Sequence, residues 1–360
     1  MLELNGFGGA YRGRRVLVTG HTGFKGSWMS LWLGALGAHV SGLALDPPSQ
    51  PNHWSLLDLR VSDHRVDVRD EGSVMAVFAD ERPEMVFHLA AQPLVRRSYA
   101  EPVGTWATNV MGTVQVLEAV RQTPEVKAVV VVTSDKCYEN RELDSAYTED
   151  DRLGGHDPYS ASKAAAELVA ASYRSAFCEG GPLIATARGG NVIGGGDWSQ
   201  DRLIPDLVRA LGDGEPLVIR SPHATRPWQH VLDCLSGYLN VGQRLLEGDR
   251  DGAQAWNFGP DESGNHTVGD VLRDIKRDLP QLHWQVSTDP QPHEAALLQI
   301  DSTKARTRLH WQPVWNYDQA VHHTAEWYRK WLDSGEVTSG AQLAGYCTDA
   351  IAAGVDWAAS

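Results

Sequence analysis

Tyr159 and Lys163 stand four residues apart in Tyr159-Ser160-Ala161-Ser162-Lys163. On a helix that spacing puts both side chains on one face, about one turn apart. A cationic ammonium beside a phenol favours the phenolate, so Tyr159 would act as a general base near neutral pH. Taken alone, the pair is a common accident of an amphipathic helix. It gains weight from Ser134, which follows an apolar run and would bond the same substrate hydroxyl at a strand end, where open α/β sheets carry their sites. Asp135 and Lys136 come next in the chain. The first is a carboxyl suited to give up a proton, the second an amine that needs burial or a neighbouring cation before it can take one. A bland reading makes them a strand-end charge pair, but their place directly after Ser134 favours chemistry.

A second cluster suits a dinucleotide. The apolar run 15–19 leads into Gly20-His21-Thr22-Gly23-Phe24-Lys25-Gly26 and then a helical pattern. Glycines at these places allow a tight turn and close backbone approach to a pyrophosphate, which the helix N-terminus then attracts. The spacing is Gly-x-x-Gly-x-x-Gly, and Gly20, Thr22, Gly23, Phe24 and Lys25 are the candidate contacts. Asp46 follows the second strand, where a carboxylate accepts from a ribose 2′-hydroxyl and repels a 2′-phosphate, favouring NAD over NADP. Its distance from Gly20 is longer than the usual ~20 residues. Asp67 and Val68, closing the third strand, would bracket the adenine. Leu89, Ala90 and Ala91 end the fourth with side chains small enough for the cofactor to lie on the backbone.

Such residues need a frame that brings strand ends together. Strand patterns fall at 15–19, 38–45, 64–68, 84–89, 127–133 and 183–188, and helical patterns at 24–36, 71–79, 102–121 and 159–177. The alternation implies an α/β fold with a doubly wound, Rossmann-like parallel sheet. The run Val129 to Val132 lacks alternation, as in a strand covered on both faces. The reading is a dinucleotide-binding domain over 12–190, with later returns to the sheet at about 228–258. A smaller, interleaved substrate lobe takes up most of 191–332. The Ala- and Gly-rich tail 334–360 carries no clear pattern.

With these residues in place the sequence resembles the extended short-chain dehydrogenases/reductases that act on nucleotide sugars. Asn109 and Thr133 join the cofactor set by that resemblance. Longer stretches sharpen it: Ala90 to Arg96, Thr133 to Tyr138, Asn191 to Trp198, Asp201 to Pro205 and Arg226 to Val231 resemble CDP-D-glucose 4,6-dehydratases over about 12–332. Members with an Asp-Glu pair act on dTDP-glucose, whereas the CDP-glucose relatives carry Asp-Lys, as Asp135-Lys136 here. The resemblance implies NAD-dependent oxidation at C4, loss of water across C5 and C6, and return of the hydride to C6. Asp135 would be the acid and Lys136 the base. It also implies a nucleotide-sugar pocket from Gln92, Arg188, Asn191, Arg202, Leu203, Arg226, His230 and Glu294, and a homo-oligomer, dimer or tetramer, paired through the helices at 102–121 and 159–177. The alternatives are a dehydratase for another nucleotide, a 4-epimerase, or a non-catalytic dinucleotide sensor. Asp135-Lys136 argues against the epimerase and the retained Tyr-Lys pair against the sensor.

Bulk properties narrow the class further. A formal charge of −14 over 360 residues, with pI near 5.4, argues against a nucleic-acid partner. A local arginine cluster can still hold a diphosphate. Cys137, Cys178, Cys234 and Cys347 form no Cys-x-x-Cys pair and read as free thiols in a reducing cytoplasm. The N-terminus has no signal-peptide pattern, and the apolar runs are too short to cross a membrane. His322-His323 has no ligand-like companions, so no metal is expected.

Overall fold

The computed structural model describes residues 2–141, 145–177, 179–260, 264–287 and 298–359. Its strands are β1 Arg15–Thr19, β2 His39–Ala44, β3 Ser62–Arg65, β4 Met85–His88, β5 Ala128–Val132, β6 Leu183–Gly189, β7 Asn191–Ile193, β8 Leu217–Ile219, β9 Thr225–His230, β10 Ala255–Phe258, β11 Asn265–Thr267 and β12 Trp284–Val286. One seven-stranded sheet runs β3-β2-β1-β4-β5-β6-β10, with all its pairs parallel. The order reverses direction between β1 and β4, which opens a crevice at the carboxyl ends of the strands.

Both faces of the sheet are covered, which is why its strands are apolar without interruption. Val16, Val18, Phe87 and Val130 pack beneath helices Phe24–Ala35 and Val231–Leu246. Leu17, Val86, Val129 and Val131 face Val74, Phe78, Val116 and Leu117 on the opposite side. The smaller lobe is built from the sheet β11-β9-β7 and the pair β12-β8. Its core gathers Trp198, Trp228, Val271 and Trp327 from strands, loops and helices.

Two elements differ from the sequence expectation. The third strand lies at Ser62–Arg65, two or three residues early, so Asp67 and Val68 follow it rather than close it. It is a polar edge strand: His64 bonds Glu81 and Asp63 bonds His21, so it carries no apolar alternation to mark it. The helical stretch expected at 102–121 is present, but Ala107–Met111 widens into a π-helical turn. Such bulges favour functional positions, and this one presents Asn109.

The segment beyond Ser334 folds as helix Ser339–Ala352 and a short turn, Asp356–Ala358. Leu343, Tyr346, Ala350 and Trp357 enter the main core, where Trp357 stacks on Phe7 with centroids 4.9 Å apart. The N-terminal segment ahead of residue 12 is therefore also part of the core. Trp357 is 3% exposed, so Trp357→Ala should cost about 3–5 kcal/mol of stability in denaturant titration. A loss below about 1 kcal/mol would contradict this packing.

Candidate active site

The catalytic-type residues converge at the carboxyl ends of β5 and β6. Asp157 and Pro158 begin helix Pro158–Phe177: the Asp157 carboxylate accepts from the Ser160 amide at 2.9 Å and hydroxyl at 2.6 Å, and proline suits the first turn. From that anchored start Tyr159 and Lys163 both turn inward, 7% and 6% exposed. Ser134 caps the short turn Asp135–Cys137 by accepting from the Lys136 amide. Its hydroxyl donates to Asp135 Oδ1 at 2.9 Å and also meets Tyr159. Asp135 is 3% exposed and its Oδ2 has no partner, so one carboxylate oxygen is buried at the site and uncommitted. Lys136 is half-buried beside it.

The electrostatics depart from the simple Tyr-Lys expectation. Lys163 Nζ donates to the Val132 carbonyl at 3.2 Å and so is held at the end of β5. Burial pushes the Tyr159 phenol up to about 12, reinforced by Asp135 and Asp157, while the Ser134 bond and the Arg202 charge pull the other way. Burial pushes Lys163 down to about 8, with the Lys25 charge assisting and Glu167 opposing. The largest influences on the phenol are burial, the Ser134 bond and the Arg202 charge, while helical spacing sets the face of Lys163 but not the direction of its flexible side chain.

The glycine loop fits a pyrophosphate. Gly20 has φ +74°, and a Cβ there would lie 2.7 Å from the Ala90 nitrogen. A Cβ on Gly26 would lie 2.1 Å from the Gly20 carbonyl oxygen. Helix Phe24–Ala35 starts at Gly23 with no side-chain cap, leaving its first amides for an anion. Thr22 donates to the Leu45 carbonyl at 3.0 Å, tying the loop to the end of β2, where Asp46 stands exposed with Arg65 3.8 Å away. Phe24 leads the helix, and Leu89, Ala90 and Ala91 form the floor opposite Gly20. Val68 packs on Gly112, while Asp67 pairs with Arg69. Lys25 reaches away from the loop to the Tyr238 hydroxyl at 3.2 Å, on the side of Lys163.

Several expected ligand residues are committed to the protein itself. Asn109 accepts from the Gln92 amide at 2.7 Å and donates to Ser162 at 2.8 Å, clamping the β4 loop to the Tyr159 helix. The Gln92 side chain is taken up by Leu94 and Thr105. Arg188 is 3% exposed, paired with Glu167 at 2.8 Å and bonded to the Tyr138 hydroxyl. It is not an open fork for a diphosphate. His230 caps helix Val231–Leu246 through Leu232 and lies between Trp28 and Trp315, fully buried. Motif position alone did not reveal these inward roles.

The remaining residues stay near the crevice or its lobe. Arg202, half-exposed, opens helix Leu203–Asp213, lies 3.6 Å from Asp197 and acts electrostatically on Tyr159. Asn191 lies on β7 opposite Trp228 of β9, and Arg226 on β9 opposite His266. Thr133 donates to Glu167. Glu294 lies outside the described residues. Sequence reasoning missed Glu167, although its place four residues beyond Lys163 was a usable signal. No sequence signal marked Tyr238, which arrives from a distant helix.

Among the described residues no helix is long and apolar enough to cross a membrane, and no His, Cys, Asp and Glu group is placed to hold a metal. His323 stacks on Trp315 and His322 faces Asp278. Cys137, Cys234 and Cys347 are buried free thiols.

A doubly wound parallel sheet, an uncapped glycine turn and a buried Ser-Tyr-Lys cluster define an extended short-chain dehydrogenase/reductase. Within that class the chain belongs to the family described as GDP-mannose 4,6 dehydratase, whose model matches residues 17–324. It is 45% identical over 331 residues to a CDP-glucose 4,6-dehydratase of Salmonella typhimurium, covering 89% of this chain and 92% of that one. A dTDP-glucose 4,6-dehydratase of Xanthomonas campestris is 27% identical, covering 87% and 92%. Among solved structures, the epimerase Mth375 of Methanothermobacter thermautotrophicus superposes with TM-score 0.80 at 25% identity, covering 90% and 95%. The Bacillus anthracis dTDP-glucose 4,6-dehydratase in complex with NAD shares the fold at TM-score 0.71 and 24% identity, covering 88% and 96%.

Lys163 supplies a test independent of turnover. Its pKa in the fold, about 8, is below that of an unfolded lysine, so burying the charge opposes folding most strongly below pH 8. That opposition fades as pH rises from 8 toward 10.5. Lys163→Met should therefore melt at or above the wild-type temperature at pH 7, with the gap closing above pH 8. A variant melting well below wild type at pH 7 would refute this account.

Proposed function

We propose that this chain converts CDP-D-glucose to CDP-4-dehydro-6-deoxy-D-glucose and water, using NAD bound along the crevice between β1 and β4. The observation that carries the reading is Asp135, a buried carboxyl with one uncommitted oxygen directly beside the Ser134–Tyr159 pair. The 45% identity to a CDP-glucose 4,6-dehydratase supports the nucleotide. The glycine turn, the β4 floor and Asp46 would hold the dinucleotide, and Lys163 its nicotinamide ribose. Bound there, nicotinamide would supply a reversible two-electron acceptor for the hydride that leaves C4 and returns to C6, so no NADH would be consumed.

The protein's own groups then divide the work. Tyr159, oriented by Ser134, takes the 4-hydroxyl proton as a phenolate, the form that the Ser134 bond and the Arg202 charge favour against burial. The resulting ketone acidifies C5; Asp135 gives its proton to the 6-hydroxyl, which departs as water, while Lys136 receives the C5 proton and gives it back to C5 when C6 is reduced. Asn191, Arg202, Leu203 and Arg226 border the nucleotide, with Arg202 able to neutralise diphosphate charge. Arg188, Gln92 and His230 support the pocket from within. The reaction needs no membrane and takes place in the cytoplasm. Exposed Val103, Trp106, Met111, Leu168 and Phe177 line helices 102–122 and 158–177 and suit pairing with a second copy of the chain.

Purified enzyme with CDP-glucose should form a 4-keto-6-deoxy sugar without stoichiometric NADH. NADH rising in step with product would instead indicate a net dehydrogenase.

The two half-reactions are separable by substitution. Tyr159→Phe should lose roughly 10²–10⁴-fold in turnover and form no bound NADH after mixing with substrate. Asp135→Asn should also turn over poorly, yet accumulate bound NADH in a single turnover, because oxidation proceeds and elimination stalls. Normal turnover by Asp135→Asn would remove the carboxyl from the mechanism.

A further inference from the structure

Glu167 plays no part in the steps assigned above, yet it is 3% exposed beneath the site. It lies four residues beyond Lys163 and eight beyond Tyr159 on the same helix, so the three share one face. Its carboxylate accepts from the Thr133 hydroxyl, from the Thr186 hydroxyl at 2.7 Å and from Arg188 Nη2 at 2.8 Å. Thr133 immediately precedes Ser134 and Asp135. Arg188 immediately precedes Gly189 and Gly190, where a Cβ would meet Lys25 Nζ at 3.7 Å and Asp135 Oδ2 at 3.4 Å respectively. Arg188 is itself held by the Tyr138 hydroxyl at 2.8 Å and the Glu149 carbonyl at 3.2 Å, and Tyr138 donates to Asn257 on β10.

From this convergence we infer that Glu167 is a positioning residue, fixing the spacing between the Tyr159–Lys163 helix and the Ser134–Asp135 strand end. Oxidation and elimination then address one sugar without its moving. The inference rests on the dehydratase reading. A buried ion pair is poor evidence of a stabilising purpose, since apolar residues of equal volume often fold as well. Two hydroxyls and a guanidinium directed at one carboxylate instead specify orientation. Rate is sensitive to such orientation, and a misplacement of ~1 Å can cost about 10²-fold.

The charge of Glu167 has a second consequence. Lys163 is faced by Lys25 from the glycine loop, His88 from β4, Cys137 from the turn after β5, and Tyr159 and Glu167 from its own helix. Of these, Glu167 is the carboxylate that opposes burial and the Lys25 charge in holding the Lys163 proton. Removing its charge lowers the Lys163 pKa further.

Glu167→Gln keeps the shape but turns an amide toward Arg188 or a threonine. In the NAD-loaded enzyme kcat should fall roughly 10- to 100-fold with KM nearly unchanged. The Nζ titration of Lys163, followed by ¹⁵N chemical shift in lysine-labelled protein, should move to lower pH. Glu167→Asp keeps the charge on a shorter arm, so its titration should stay near wild type while kcat falls. Thr133→Val, which removes one anchor with little change of volume, covers the case that the Gln variant does not fold, and should lower kcat with KM unchanged. If kcat in folded Glu167→Gln or in Thr133→Val stays within twofold of wild type, or the Gln titration does not move, the inference is overturned. Should wild type yield no 4-keto sugar, the dehydratase reading fails by itself, and the Lys163 titration still decides whether Glu167 governs that amine.

Discussion

Charge held out of water at the carboxyl end of β5 is the constraint around which this molecule is arranged. Lys163, Glu167 and Arg188 are each no more than 6% exposed. Ions in such a setting persist only when other groups solvate them. The protein supplies those groups from its backbone and from threonine, tyrosine and asparagine side chains. The Val132 carbonyl takes the Lys163 ammonium, Thr133 and Thr186 flank Glu167, and Tyr138 relays Arg188 to Asn257. These partners come from β5 and the turn after it, from β6 and from β10, so that half of the sheet must be complete before the site exists.

The same requirement explains the helix packing above the sheet. Asn109 can clamp the Gln92 loop to Ser162 because its helix opens into a π-turn at that residue. The clamp holds the loop after β4 and the amino end of the Tyr159 helix together, at the two sides of the crevice. The C-terminal helix contributes from below: the Tyr346 hydroxyl and the amides of Val314 and Trp315 converge on buried Asp233, at the base of the helix that carries Tyr238. Burial pushes the Asp233 carboxyl up to about 7, against those hydrogen bonds.

Oxidation at C4 needs the Ser-Tyr-Lys set, whereas elimination needs further proton carriers within reach of C5 and C6. In the reaction proposed for this chain Asp135 would meet that need, since Ser134 holds Oδ1 and Gly190 leaves space beside Oδ2. A larger residue at 190 would press on the carboxylate. Lys136 beside it is less buried.

By itself the sequence determined the parallel sheet, the glycine turn and the meeting of Ser134, Asp135, Tyr159 and Lys163 near one strand end, because each follows from short-range spacing. Unbroken apolar runs mark strands covered on both faces, glycines mark close backbone approach, and a four-residue interval marks a helix face. What only the tertiary structure decided depends on partners far along the chain. Arg188 looked like a diphosphate fork until Glu167 and Tyr138 were seen to occupy it, and His230 like a ligand residue until two tryptophans enclosed it. Lys163 proved to bond the Val132 carbonyl, and the tail beyond Ser334 to complete the main core. The physical reason is the same in each case. A side chain's type and interval set what it can bond, but burial and the groups brought beside it by distant segments set what it does bond.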